Sequence, residues 1–396
     1  MSGPLEGFRV LDASEVVSGP LATQLLADQG AEVIKLERPG YGDTVRRMGF
    51  RRGGMSSLFA NVNRGKRSVA VDLMQAAGRG LARTLVARAD VFVQNWRPGA
   101  AERLGLGADA LCREHPALVY VSVSGFGASG PYRDRRVYDP IIQGLSGHVA
   151  VQKNPEIPIP DLVRTLVVDK ATAYTVAQAV TAALLARERG AGGQHVEIAM
   201  LDAALAFFWP DGMMGHSWVD PVDFAGPTLA ETYRLWETRD GHLLYWAGQD
   251  SEAHGLFRAL GHPEWCEAPR FASLRARTEN REALGALVRE AIAGFERDAL
   301  LERLVANDVP CGPVLDLAEV LEDAQVQHNQ SVLEAELPGS GRLRIARPAA
   351  RFAGTPQTPG RPAPRLGEHT REVLGELGLT AARIDALERD GVVRSR

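Results

Sequence analysis

Residues 8–36 read FRVLDASEVVSGPLATQLLADQGAEVIKL, and their pattern sets the fold class. The run at 8–13 is short and apolar, as in a buried strand. Residues 19–29 have helical spacing, with Pro20 in the first turn and Gly30 where a helix closes. Residues 33–36 form a second apolar run. Strand, helix, strand at this spacing is a β-α-β unit, which demands a parallel sheet and an α/β fold. The acidic residue after the second strand, Glu37, sits where nucleotide-binding units place one. The glycine fingerprint of those units is missing, since the first strand leads into SEVVSGPLA.

The pattern continues outward. Residues 68–73, 91–93, 118–124 and 195–199 read as further strands, and 76–89 as a helix. Residues 41–62 read as a loop carrying Arg46, Arg47, Arg51 and Arg52, either a phosphate-binding cluster or a solvated surface. Asn95, Trp96 and Arg97 follow a strand at its carboxyl end, where open α/β sheets bind ligands. An amide, a flat ring and a guanidinium there suit a nucleotide, although Trp96 serves packing equally well. A helix start at 141–149 is broken by Gly144 and Gly147, and 154–160 is extended, as its prolines require.

Residues 163–187 read VRTLVVDKATAYTVAQAVTAALLAR. Apolar positions at Val176, Val180, Ala183 and Leu184 mark a long helix. Asp169 falls where its N-cap is expected, with free N–H groups ahead of it. The helix dipole favours the ionised carboxylate there. Two roles fit: a cap, or a nucleophile.

The later chain changes character. Residues 233–247 read as a hairpin turning at 239–241. Residues 252–260 and 281–306 read as amphipathic helices. The tail carries a short strand pair, a Pro-rich segment at 355–364, and helices at 371–377 and 381–389. The expected division is 1–215, a large domain; 216–330, linker and small α+β domain; and 331–396, a segment returning to the large domain.

Composition narrows the partners. The chain has 396 residues, a net charge of −4 and 45% hydrophobic content, which speaks for a globular protein of more than one domain and against nucleic acid as a bulk partner. The three cysteines, Cys112, Cys266 and Cys311, have no metal-ligand or disulfide spacing, and the nine histidines show no metal-ligand pattern. His148, His195 and His216 are read as packing or surface residues. No signal peptide and no transmembrane run are apparent. The expectation is a cytoplasmic protein without membrane association.

An ordered set of motifs carries a resemblance: GPLEGFRVLD, SGPLATQLLADQGAEVIKLERPGYGD, NRGKRSVAVDL, VQNWRPGA, GFGASGPY, YDPIIQGLSG and GQHVEIAMLDA. The chain resembles the class III coenzyme A transferases, the family of formyl-CoA transferase and the carnitine and bile-acid CoA transferases. The resemblance implies a Rossmann-like large domain, a smaller α+β domain, and a homodimer of interlocked rings. It implies an acyl-CoA donor and a free carboxylate acceptor, with no cofactor or metal beyond coenzyme A as co-substrate. Asp169 matches the nucleophile. Val17, Ser18, Arg38, Val71, Asp72, Leu73, Met74, Asn95, Trp96, Arg97, Arg103 and Arg136 match CoA-binding positions. Tyr138, Asp139, Gly248 and Gln249 match positions flanking the thioester.

Two departures matter. The family's glycine-rich loop reads WAGQDSE here, and Val17 replaces a polar residue of formyl-CoA transferase, which argues against oxalate and formate as the specific pair. The α-methylacyl-CoA racemases share the fold but carry His then Asp where this chain reads Tyr138–Asp139. With an ordinary pKa near about 10, tyrosine is a poor base at neutral pH, so racemase is the second reading. A non-catalytic CoA-binding protein is the third, and it requires Asp169 to be a cap alone.

Overall fold

The computed structural model describes residues 3–152, 160–356 and 361–396. The chain divides into two compact units, 1–230 with 330–396, and 231–329. Residues 216–230, expected to open the linker and small domain, group with the first unit. The apolar helix Met200–Gly212 packs Met200, Ala203 and Ala204 into the first unit's core and draws the following segment with it. The tail, from Gln330 onward, belongs to the first unit.

The first unit is built on a seven-stranded sheet. Its strands are β1 (Arg9–Asp12), β2 (Glu32–Glu37), β3 (Lys66–Val71), β4 (Val91–Gln94), β5 (Val119–Ser124), β6 (Gln194–Ala199) and β7 (Val393–Arg394). The spatial order is β7-β3-β2-β1-β4-β5-β6. All neighbours are parallel except the edge strand β7, which runs antiparallel to β3. The sheet is doubly wound, and its order reverses between β1 and β4. A crevice opens at such a point, beyond the carboxyl ends of the strands.

The strands are apolar on both faces because both are covered. Val10, Val91 and Val93 face one core with helix α1 (Ser18–Asp28) and helix α3 (Val167–Ala186). Leu11 and Phe92, one residue out of phase, face the other core with helices Ala76–Val86, Thr370–Glu376 and Ala381–Arg389. Arg67 ties the tail to the sheet through Glu372 at 2.9 Å and Glu376 at 2.6 Å. The short helix α2 (Asp139–Leu145) lies between α1 and α3 in chain order.

Residues 41–62 are not simply a loop. They contain a 3-10 turn Thr44–Arg47, a two-residue hairpin and the helix Ser57–Asn63, which Ser56 caps. The extended reading of 154–160 lies, Pro160 apart, outside the described residues, as does part of the Pro-rich segment.

The second unit has its own three-stranded antiparallel sheet and a core around Phe257, Leu243 and Ile292. The expected hairpin is present, with His242 opposite Glu237 and Leu243 opposite Trp236. The helix expected at 281–306 is two helices, Arg281–Ala293 and Arg297–Val305. Gly294 ends the first, and the Asp240 carboxylate accepts the Arg297 N–H at 2.7 Å to start the second. Among the described residues, no helix is long and apolar enough to cross a membrane.

Candidate active site

Beneath the crevice lies a set of buried charges. Asp12, at the end of β1, accepts from Lys66 Nζ (2.8 Å), from Thr23 Oγ1 (2.9 Å) and from the Ser14 N–H (3.0 Å). Lys35 Nζ donates to the Ser14 carbonyl at 2.8 Å and pairs with Asp43 at 3.0 Å. Burial alone would push the Asp12 carboxyl up, but Lys35 and Lys66 outweigh it and hold the group far below the usual carboxylate range. Burial brings the Lys66 ammonium down to about 8, against the pull of Asp12. Glu37 is part of this structure rather than a ribose ligand: it is buried and holds Arg46 (2.6 Å) and Ser68 Oγ (2.7 Å).

Above these charges the chain at 14–18 leaves β1 and enters α1. Asn95 pins it from β4, accepting the Glu15 N–H at 2.9 Å and donating to the Glu15 carbonyl at 2.7 Å. Asn95 therefore shapes this turn with both ends of its amide. Val17 is the N-cap of α1 and its side chain offers no capping bond, so the helix start is left for another acceptor.

Asp169 faces that helix start. It is 7% exposed, and its carboxylate neighbours the Ser18 hydroxyl and N–H, which favour its charged form. It lies not at the N-cap of its own helix but at the third residue, because α3 starts at Val167 with Leu166 as N-cap. The cap is supplied from a distance: Asp139 Oδ2 accepts the N–H groups of Val168 (2.8 Å) and Asp169 (3.0 Å). Those N–H groups are therefore engaged. Burial raises the Asp169 carboxyl to about 6, the neighbouring Asp139 adds to this, and the Ser18 bonds oppose it. Such a carboxyl is still largely ionised at pH 7, and a strongly perturbed buried acid beside a crevice marks a functional-site candidate.

The other expected residues fall as follows. Arg38, just past β2, is held by both oxygens of Glu15 and donates to the Tyr41 hydroxyl at 2.6 Å. An anionic ligand has to compete with Glu15 for it. Val71 ends β3, and the Asp72–Met74 turn that follows is fixed by the Met74 N–H donating to Asp72 at 2.9 Å; Met74 is exposed and Leu73 packs on the core. Trp96 packs on Phe92 with ring centroids 6.2 Å apart. Arg97 and Arg103 are exposed, and Gly99, at φ 79°, lets the Arg103 guanidinium lie close over the backbone. Arg136 and Tyr138 are exposed, whereas Asp139 is buried and serves the cap.

The carboxyl ends of β3, β2, β1 and β4, which are neighbours in the sheet, thus present 72–74, Arg38, 14–18 and 95–97 in one row. Gly248 and Gln249 belong to the second unit, where Gln249 caps the helix Asp250–Leu260 in a reciprocal pair with Glu252. The arginine-rich loop lines a cavity of about 860 Å³: Arg46, which also pairs with Glu37, lies there with Arg47, Arg51, Arg52, Arg365 and Arg394. His148 packs on Phe208 with ring centroids 4.6 Å apart and the planes tilted by 35°, and His195 bonds Ser122 at 2.8 Å. The residues that sequence reading missed are Val16, Asp43 and Glu15. The Asp-Pro pair at 139–140, a frequent helix opening, was the one local signal that Asp139 sits at a helix start.

Comparison with known proteins agrees with this geometry. The family model described as CoA-transferase family III matches residues 5–370, and the chain belongs to that family. The protein is a CoA-transferase. It is 33% identical to the succinate–glutarate CoA-transferase of Agrobacterium fabrum, over 94% of this chain and 96% of that one. It is 32% identical to the succinyl-CoA–D-citramalate CoA-transferase of Chloroflexus aurantiacus, over 98% of each. Its structure superposes on that of a CAIB/BAIF family protein from Brucella suis with a TM-score of 0.82 and 32% identity, covering 95% of this chain and 100% of that chain.

Proposed function

We propose that this enzyme transfers CoA between carboxylic acids with Asp169 as covalent nucleophile. The observation that carries the reading is the Asp169 carboxylate itself: buried, raised to about 6, and facing Ser18 at the start of α1 beside the switch point of the sheet.

The ionised Asp169 attacks the donor thioester carbonyl. The acyl–oxygen bond forms, the C–S bond breaks, and an acyl-aspartyl anhydride and CoA thiolate result. The thiolate attacks the aspartyl carbonyl and expels the donor carboxylate, leaving an aspartyl-CoA thioester. The acceptor carboxylate attacks that thioester, giving a second anhydride and thiolate. The thiolate then takes the acceptor's acyl carbon and frees Asp169. The Ser18 N–H and hydroxyl, which neighbour the carboxylate in the resting enzyme, serve the oxyanion when the aspartyl carbonyl is attacked. The helix start at Val168–Asp169 does not, because Asp139 occupies it.

Arg38, Arg97, Arg103 and Arg136 bind the phosphates of CoA in this reading, along the row formed by 72–74 and Asn95–Trp96 in the Rossmann-like unit. Tyr138 flanks the thioester. The relatives named for succinate, glutarate and citramalate support a short dicarboxylic acid as donor and acceptor. The interlocked homodimer is supported by the exposed side chains of Phe207, Trp209, Trp218, Val222 and Phe224, an apolar segment of a kind that monomers cover.

Succinyl-CoA incubated with a panel of free C2–C6 carboxylates, followed by chromatography of the acyl-CoA products, tests the reading. A new acyl-CoA that requires both partners supports it. Deuterium uptake at the α-carbon of a 2-methylacyl-CoA in heavy water, without exchange onto any free acid, contradicts it in favour of the racemase chemistry.

A further inference from the structure

Among the described residues, Val16 is the one β-branched residue in the left-handed region, at φ 73°. That conformation is an outlier for valine, and such strain persists only where the surroundings over-determine it. Here they do. The Val16 N–H donates to Asp43 Oδ1 at 3.1 Å, and its side chain packs on the cluster of Val45, Met55 and Phe59. Asp43 is fully buried and is itself fixed. Oδ1 also accepts the Val45 N–H at 3.1 Å, Oδ2 meets the Lys35 ammonium at 3.0 Å, and the Asp43 N–H donates to Glu37 at 3.0 Å. Immediately before the turn, Asn95 clamps Glu15 on both sides and Lys35 holds the Ser14 carbonyl. Immediately after it come Val17 and Ser18, and the Ser18 hydroxyl and N–H neighbour the Asp169 carboxylate.

We propose that Asp43 is a positioning residue for the CoA-transfer reaction: its carboxylate latches Val16 in the left-handed turn that aims the Ser18 N–H and hydroxyl at Asp169. This rests on Asp169 being the nucleophile, and it adds a residue that touches neither substrate nor reacting atom. An ordinary right-handed or extended Val16 rotates the following peptide and turns the Ser18 N–H away from the carboxylate. The charges facing Asp43 are Lys35, Glu37 and, further off, Lys66 and Asp12. Those facing Asp169 are Asp139 and, through it, His148. Asp43 reaches Asp169 through the turn rather than through its own charge.

Three variants separate a latch from mere structural support. Asp43→Ala removes the acceptor, Asp43→Asn keeps an oxygen for the Val16 N–H, and Val16→Pro leaves every buried charge in place but fixes φ near about −65° and deletes the N–H. The readouts are kcat, the KM for acyl-CoA, and the titration of Asp169 followed by 13C NMR of labelled aspartate, with Asp169→Asn assigning the signal. Asp43→Ala and Val16→Pro should lower kcat at least tenfold with KM within twofold. They should also move the Asp169 midpoint upward by roughly one pH unit, since bonds that favour the charged form are lost. Asp43→Asn should keep both near the parent's values. If Asp43→Ala does not fold, Val16→Pro decides the matter.

An unmoved Asp169 titration in Val16→Pro overturns the latch, as does an Asp43→Asn enzyme as impaired as Asp43→Ala. Full activity in Asp169→Asn overturns the nucleophile instead, and the NMR titration still reads the latch.

Discussion

The Asp139 carboxylate caps the helix that carries Asp169, accepting the N–H groups of Val168 at 2.8 Å and of Asp169 itself at 3.0 Å. The two acids are thirty residues apart in sequence and in different helices. One carboxylate, Asp139, spends one oxygen on the backbone of the helix and the other on the Gln143 amide. The Asp169 carboxylate is left to face Ser18 and the crevice. Gln143 completes the arrangement by donating to Asp139 and to the Val163 carbonyl at 3.1 Å, which fixes the approach to the helix.

Removing that cap should cost both stability and rate. Asp139→Ala leaves two N–H groups of α3 without an acceptor, and the loss should be about 1–3 kcal/mol in urea unfolding. Asp139→Asn keeps one acceptor and removes the charge that raises Asp169. The rising limb of kcat/KM against pH should then move to lower pH. A limb that stays in place or moves upward contradicts this electrostatic account.

The stability of the protein should report Asp169 in a definite direction. The folded carboxyl titrates at about 6 and the ordinary value is 3.8, so the folded state keeps the proton longer than the unfolded chain. The stability so gained is full below the ordinary value and is lost as pH rises through the folded one. Asp169→Asn, which never ionises, should therefore stabilise the fold by roughly 2–3 kcal/mol at pH 8 and progressively less toward pH 4. Thermal melts across this range check it, and a stabilisation independent of pH contradicts it.

CoA affinity should depend on Arg97 more simply than on Arg38. Arg97 is exposed and Arg38 is already engaged by Glu15. Arg97→Ala should weaken CoA by roughly 1–3 kcal/mol, whereas Glu15→Gln should tighten it by releasing Arg38. Calorimetry with CoA measures both. An unchanged dissociation constant in Arg97→Ala moves the groove elsewhere.

The exposed apolar segment around Trp218 and Phe224 predicts association. Sedimentation at low micromolar concentration should show a dimer and no monomer, and a stable, active monomer contradicts the interlocked assembly.

Much of the sheet was legible because its strands are buried on both faces. VFVQ and VYVSVS read as strands for the same reason that they fill two cores. The position of Asp169 at a helix start was legible too, although it is the third residue of the helix rather than the N-cap. The acceptor that caps α3 comes from another helix, and a cap made over that distance leaves no local pattern. Ser57–Asn63 was lost in a glycine- and arginine-rich stretch because seven residues are too few to display a period. Asn95 was expected to face CoA from its place after β4, and its two bonds to Glu15 could be seen only once β1 lay beside β4. Val16 gave no sign at all, since a Val-Val pair reads as extended chain and its left-handed φ is imposed by Asp43, 27 residues away.

The most direct test of the central claim is to look for the bond it requires. The enzyme is incubated with acyl-CoA, treated with hydroxylamine or borohydride, digested, and read by peptide mass. The account predicts modification at Asp169 and at no other carboxyl, absent in Asp169→Asn although that variant still binds CoA. An enzyme that turns over acyl-CoA and free acid while Asp169 stays unmodified contradicts it.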